Sequence, residues 1–499
     1  VLAHAIARRG AQPIFAICGG RLPICDVMTV DAAPPMPCHS CHEYARSSVR
    51  AAGFEAVSMR DLVDVGALVT GATSLVAGLD TVRDCEDFVA EGLPLGRLVR
   101  ISAAWFLSRG TLPDTRPVLH TYRSFLVSGI VVASAARAML DRVRPDRVFM
   151  LNGTFFAESI MIALATQRGL PYTTYERGFV QDSVVMTPNA AACYLMVPDE
   201  SWARARDVAL SHEEAEAVEA YLGQRSRGEG TLDNFWRDRV ENVPQIRHEL
   251  RLDADRRLAV MFCNVLWDSA VLERDVCFQS MSDWVVAGIR WAATHPELDL
   301  VVRIHPGEVQ LTNHPTRERM DDQIATRLPS LPHNVRVVAA DDPISSYVLM
   351  DEATVGLVYS STVGLELATR GIPVIVAAEA HYRGRGFTMD PVTAEEYWTA
   401  ADRVLHSPPE PTERERTRRL ALRYAALFFF RFHNTLDAVH EEGRSRPRVR
   451  AQYASELDPG HDVALDRLVA GILEGVPPVA PAGAPQGTGA HHVPWPDRA

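Results

Sequence analysis

The sequence predicts an α/β protein of two facing lobes, each a doubly wound parallel sheet covered by helices. Three observations carry that reading. Short apolar runs alternate with amphipathic stretches over residues 133–175 and again over 257–377. The connections between them are only a few residues long. The runs themselves are Val-, Ile- and Leu-rich without strict alternation, as suits strands covered on both faces. With 47% hydrophobic and 23% charged residues, the 499-residue chain has ample material for such cores, and disorder throughout is excluded.

In order along the chain, residues 1–9 read as a helix, with Leu2, Ala5 and Ile6 on one face and Gly10 ending it. The apolar run 13–17 and Gly19-Gly20 follow, which resembles the second half of a β-α-β unit whose first strand would precede Val1. Ala51-Ala52-Gly53 closes a helix, residues 133–143 form another, and 147–151 is a strand ending at Asn152-Gly153. A helix over 159–168, a Gly-Leu-Pro turn at 169–171 and a strand over 172–175 lead into Glu176-Arg177-Gly178. Residues 213–252 are polar and interrupted by Gly223, Gly228 and Gly230, which marks the linker. In the second lobe, 257–263 and 298–304 are strands around a helix at 278–293; then 335–339, 344–350, 354–359, 363–370 and 374–377 alternate strand and helix. The predicted organisation is a first lobe at 1–245, a second at 246–411, a helical segment at 412–445 returning toward the first, and a disordered Pro/Ala/Gly-rich tail at 475–499.

Lys plus Arg number 51 and Asp plus Glu 63, so a net charge of −12 argues against a nucleic-acid partner while allowing a local basic cleft. Apolar runs such as 125–136 fall short of the roughly 20 residues of a bilayer span. No transmembrane segment is therefore expected, peripheral membrane association stays open, and the absence of signal-peptide features places the chain in the cytoplasm. Reduced thiols are expected there. Cys38 and Cys41 have half a zinc-knuckle spacing, and Cys18 and Cys25 could complete a four-thiolate site; scattered buried thiols explain the same letters.

Ligands of open α/β sheets sit beyond the carboxyl ends of strands, so the residues there are the candidates for chemistry. His305, fixed by Pro306, can donate to a phosphate or ribose oxygen, with Arg303 beside it. Ser360, Ser361 and Thr362 place three hydroxyls at a helix start, an arrangement suited to a phosphate, and Glu366 one turn on could take a ribose hydroxyl. Asn152, Gly153 and Gly178 mark strand exits of the first lobe, where Glu176 is the natural carboxylate to activate a hydroxyl. Asp268, after Trp267, is the second candidate base, and Trp267 could stack on a sugar or a base. Capping residues, surface ion pairs and packed aromatics account for several of these positions too.

Arg-Ile-His-Pro at 303–306, Tyr-Ser-Ser-Thr-Val-Gly-Leu-Glu at 359–366, Gly-Ile-Pro-Val-Ile-Val at 371–376 and His-Tyr-Arg-Gly-Arg-Gly-Phe-Thr at 381–388 together resemble bacterial capsular-polysaccharide biosynthesis glycosyltransferases, the Kdo-transferase type included. The pairing of the His-Pro and Ser-Ser-Thr motifs is similar to that of bacterial GT-B sialyltransferases. The resemblance spans about residues 147–397. It implies a GT-B fold of two Rossmann-like lobes, a nucleotide-sugar donor on the second lobe, a saccharide or other hydroxyl acceptor on the first, and transfer without a metal or other cofactor. It gives the nucleotide to His305 and its phosphate to Ser360, Ser361 and Thr362. It sets Glu176-Arg177-Gly178 against the family's acidic-acidic-Gly turn, from which Arg177 departs. Glu176 is then the first choice of catalytic carboxylate and Asp268 the second. A cationic group such as Arg303 or Arg383 would steady the leaving nucleotide, and a CMP-activated acidic sugar is the favoured donor. Sugar-nucleotide 2-epimerases, polyol-phosphate transferases, natural-product glycosyltransferases and a non-catalytic assembly partner share the fold and stay open.

Overall fold

A computed structural model describes residues 1–32, 36–229, 242–441, 447–451 and 453–482. Its second lobe carries five strands: β6 (Arg257–Phe262), β7 (Leu298–Arg303), β8 (Val335–Val338), β9 (Val355–Val358) and β10 (Val374–Val376). They form one all-parallel sheet in the order β10-β9-β6-β7-β8. Successive β6 side chains go to opposite faces. Leu258, Val260 and Phe262 enter one core with the helix Val363–Thr369, whereas Ala259 and Met261 enter the other with the helices Met281–Ala293 and Ala394–His406. The chain winds from β6 to one side through β7 and β8, then to the other through β9 and β10, which puts a topological switch between β6 and β9.

The first lobe is α/β but less regular. β1 (Phe15–Ile17) and β2 (Ala56–Ser58) make a parallel pair of their own. β3 (Val148–Leu151), β4 (Tyr172–Arg177), β5 (Ser183–Pro188) and β11 (Asn434–Thr435) form a second sheet in the order β11-β5-β4-β3. Only β3 and β4 are parallel in it; β5 runs antiparallel to β4 and β11 to β5, which corrects the expectation of a purely parallel sheet. The cause is local, because the few residues between β4 and β5 allow a hairpin and no crossover. That hairpin also extends β4 through Glu176 and Arg177, two residues beyond the expected strand end.

The helix expected at 133–143 begins at Arg116 and runs to Val143. By length and composition it could cross a membrane, unlike the short apolar runs seen in the sequence, but 72% of its apolar stretch is buried inside the protein. It packs against the helices Val65–Val76, Leu95–Leu107 and Phe156–Gln167 as the centre of the first lobe's core.

Within the expected linker, the helices His212–Ser226 and Val243–Glu249 are described, and residues 230–241 lie outside the described part. The helix Pro411–Ala426 and its π-helical extension Leu427–Phe432 pack on Val363–Thr369 and His212–Ser226. Helix was expected over 412–445, of which 442–446 lie outside the described part, but it stops at Phe432 because Asn434 and Thr435 pair with β5. The helix Val463–Leu473 then covers β5 and touches the N-terminal helix Leu2–Arg8. The first residues of the supposed tail are held in place: Asn434 Nδ2 donates to the Pro478 carbonyl and the Ala480 N–H to the Arg431 carbonyl, both at 2.8 Å. Residues 483–499 lie outside the described part.

Candidate active site

The carboxyl ends of β9, β6 and β7 lie side by side, and the loops leaving them carry Ser360, Asn264 and His305. Across the switch point, Asn264 Oδ1 accepts the Ser360 N–H at 3.4 Å. The Ser361 hydroxyl accepts the Val363 N–H at 3.3 Å, and the Ser361 carbonyl accepts from the Tyr382 hydroxyl at 2.5 Å. Thr362 opens the helix Val363–Thr369 without capping it with its side chain. All three hydroxyl residues are partly exposed, and the loop is fixed by its backbone and by the Ser361 hydroxyl.

His305 Nδ1 accepts the Gly307 N–H at 3.0 Å, which leaves the ring proton on Nε2. A Cβ at Gly307 would come within 2.8 Å of that Nδ1, so the turn requires glycine. Burial, aided by the Arg303 charge, pushes the His305 pKa down to about 4, and the ring is a neutral donor at physiological pH.

The first lobe supplies the carboxylate. Asn152 Nδ2 donates to Glu176 Oε2 at 2.7 Å and the Arg177 N–H to Oε1 at 2.9 Å. Asn152 sits at φ 54° with its own Oδ1 taking the Thr154 N–H, and a Cβ on Gly153 (φ 96°) would lie 2.9 Å from the Ala191 backbone. The Asn152-Gly153 turn is thus built to aim one side chain at Glu176. Burial raises the Glu176 pKa, and the nearby Asp268 adds to the rise. Asp268 belongs to the second lobe, where its Oδ1 takes the Ala270 N–H at 2.9 Å, so the two predicted carboxylates influence each other across the lobes. The Cys193 and Ser269 side chains touch at 3.4 Å across the same seam.

Several predicted site residues have other work. Arg303 is 2% exposed, with Nε on the Ser346 hydroxyl at 3.2 Å and its Nη atoms on the Ala339 and Asp342 carbonyls. It braces the loop after β8, and its charge acts on His305. Arg383 donates to the Val376, Ala378, Asp390 and Pro391 carbonyls, pinning its own loop. Glu366 is 2% exposed and paired with Arg225 Nη2 at 2.9 Å, so it is not presented to a ribose. Gly178 is needed for space: a Cβ there would lie 2.0 Å from Ser183 Oγ and 2.6 Å from the His433 ring. Trp267 is buried, stacked on His314 at 3.9 Å with Trp105 of the first lobe edge-on at 5.0 Å, and serves the lobe interface.

Residues 247–410 match the family of capsule polysaccharide biosynthesis proteins. The matched segment coincides with the second lobe and holds Asp268, His305 and Ser360 to Thr362; Asn152 and Glu176 lie outside it. No curated protein matches the sequence. Among solved structures, KpsC of Thermosulfurimonas dismutans, a β-Kdo 2,4-transferase, shares 16% identity over 62% of this chain and 87% of its own, with a TM-score of 0.36. A UDP-GlcNAc 2-epimerase of Neisseria meningitidis, bound to UDP-GlcNAc, shares 13% over 60% and 78%, with a TM-score of 0.28. The glycotransferase of kitacinnamycin shares 13% over 86% and 91%, with a TM-score of 0.25. At these values none of the three decides an activity.

Two buried carboxyls of the first lobe escaped sequence reasoning. Glu158, in the first turn of the helix Phe156–Gln167, is raised to about 7 by burial and by Asp26 and Glu176. Asp26 accepts from the Ser102 hydroxyl at 2.6 Å, and burial raises its pKa. An acid in a first helical turn reads in sequence as a partner of the helix dipole, and Asp26 follows no strand, so neither had a signal. Cys18 lies near Cys38 and Cys41, but among the described residues no group of three or more His, Cys, Asp or Glu side chains is placed to hold a metal ion, and all eight thiols are free.

Proposed function

We propose that the chain is a glycosyltransferase of surface-polysaccharide assembly, working in the cytoplasm or at the membrane face, that moves a sugar from a nucleotide-activated donor to a saccharide hydroxyl. The observations that carry this are a buried carboxylate, Glu176, oriented by Asn152 and raised in pKa by burial and by Asp268 of the second lobe, and switch-point loops of that second lobe bearing His305 and three hydroxyls. The match of that lobe to a capsule-biosynthesis family supports it.

In this reading Glu176 takes the proton of the acceptor hydroxyl as that oxygen attacks the anomeric carbon. The glycosidic bond to the nucleotide phosphate breaks, and the departing anion is met by the hydroxyls of Ser360, Ser361 and Thr362, the free N–H groups of their turn and the Nε2–H of His305. Arg303 adds positive potential from beneath. These groups neutralise the leaving charge without a metal ion. The proposed donor is a CMP-activated acidic sugar.

Glu176→Gln should lower kcat by roughly 10²–10⁴-fold with donor affinity kept, as loss of a general base does. His305→Ala should weaken donor binding as well. Turnover unchanged in both variants would sink the proposal. Thermal melts with CMP, UMP, UDP, GDP and dTDP identify the nucleotide, since a bound ligand raises the melting temperature by mass action.

A further inference from the structure

A second cavity lies in the first lobe, far in sequence from Glu176. It encloses about 370 Å³, within the roughly 300–1,000 Å³ of small-molecule sites. One wall is the helix Cys38–Ala51, from which His42, Arg46 and Arg50 project at four-residue intervals, hence from one face. The other wall is the carboxyl end of the β1–β2 pair, with Ile17, Ser58 and Arg60. In an open sheet that end is where ligands sit.

The charge balance is the notable feature. Three arginines face this space against one acid, Asp61, in a protein of net charge −12. Arg60 has Asp61 at 3.7 Å, whereas Arg46 and Arg50 make no ion pair among the described residues. Two polar atoms in the lining have been removed from water without a protein partner: the hydroxyl of Ser58, a residue 7% exposed, and Nδ1 of His42. Such groups cost stability unless something bonds them. Gly19 supports the arrangement: it sits at φ 78°, and a Cβ there would lie 2.3 Å from Ser58 Oγ and 3.0 Å from the Arg60 side chain, so its backbone closes directly on both. Phe54, whose ring packs against those of His4 and Phe15, adds an apolar side chain to the lining.

We infer that this pocket binds the carboxylate or phosphate of an anionic saccharide, with Arg46 and Arg50 on the charge and Ser58 and His42 on the neighbouring oxygens. Resting on the transferase reading, it supplies the acceptor class: an acidic sugar or sugar phosphate engaged by the first lobe.

Calorimetric titration of the full chain tests it with D-glucuronate, D-glucose 6-phosphate, D-glucose and inorganic phosphate. At least one charged sugar should bind ten-fold or more tighter than glucose. Arg46→Ala/Arg50→Ala, both at exposed positions, should erase that preference by ten-fold or more, and the double Lys variant should recover most of it. Equal binding of glucose, indifference to the double Ala variant, or phosphate binding as tightly as glucose 6-phosphate would each overturn the assignment. Nucleotide titration separates the two readings. A chain that binds nucleotide and turns over, yet ignores Arg46 and Arg50, loses the pocket alone; a charge-selective pocket without nucleotide-dependent turnover loses the transferase alone.

Discussion

At the scale of single residues, this protein holds several histidines neutral by burial. His433 is 3% exposed with Nδ1 on the Phe428 carbonyl at 2.7 Å, and burial pushes its pKa down to about 4, like that of His305. His381, stacked on Phe428 at 4.0 Å, is driven down as well. A histidine whose folded pKa is depressed lets the unfolded chain bind more protons between the two values, so stability is full above about pH 6.5 and falls as the pH drops toward 4. For His433 alone the loss amounts to about 3 kcal/mol at pH 4. Glu158, raised to about 7, acts in the opposite direction, favouring the folded state at the acid end, so the comparison must be made between variants. His433→Asn keeps a donor near the Phe428 carbonyl and removes the titration. Urea unfolding should therefore show a shallower acid loss in that variant, and an unchanged slope would remove burial of His433 as its cause.

At the scale of elements, short turns after strands carry most of the site, and one glycine shows how tightly. A Cβ on Gly364 would lie 2.1 Å from the Tyr382 hydroxyl, the group that holds the Ser361 carbonyl. Gly364→Ala must push the start of the helix Val363–Thr369 or the Tyr382 ring aside. Overpacking of this kind costs about 1–3 kcal/mol. Because the displaced turn bears Ser361 and Thr362, nucleotide affinity should fall ten-fold or more, read by titration; a variant that loses stability but keeps affinity would separate the turn from the ligand. The strands behind these turns were legible, since β6, β9 and β10 are short apolar runs after at most one charged residue and β7 is broken inside only by Asp299. β5 was not: Ser183, Thr187 and Pro188 conceal it, and only its pairing with β4 and β11 makes it a strand. The start of the long helix at Arg116 was hidden too, because His120, Arg123 and Ser124 interrupt its apolar face. Site chemistry divides the same way. Sequence put the hydroxyls and His305 just after strands, where the structure has them, whereas Glu176 falls inside β4; and a charge in sequence does not say whether a backbone carbonyl or a counter-ion already claims it, as happened to Arg303, Arg383 and Glu366.

At the scale of the whole molecule, the last of these shows how the parts are tied together. Arg225 ends the helix His212–Ser226 in the linker region, and Glu366 lies in the helix that follows the three hydroxyls. Their side chains are 11% and 2% exposed, the guanidinium lies within 6 Å of the Phe179, Tyr221 and Phe429 ring centroids, and Tyr347 sits against the carboxylate. The pair therefore joins the linker, the end of the β4–β5 hairpin, the returning C-terminal helix and the helix after the Ser360–Thr362 turn in one buried contact. Removing either partner leaves an uncompensated charge in that core, which costs about 3–5 kcal/mol, whereas replacing both with apolar groups of similar size is often neutral. Arg225→Met and Glu366→Met should each destabilise the protein by that amount in urea unfolding, and the double variant should recover most of it. Nucleotide affinity tells whether the contact has a functional share: if it sets the position of the turn one helical step away, the double variant stays weak in binding although its stability returns. Recovery of both together would make the pair a fastener of the fold with no hold on the donor site.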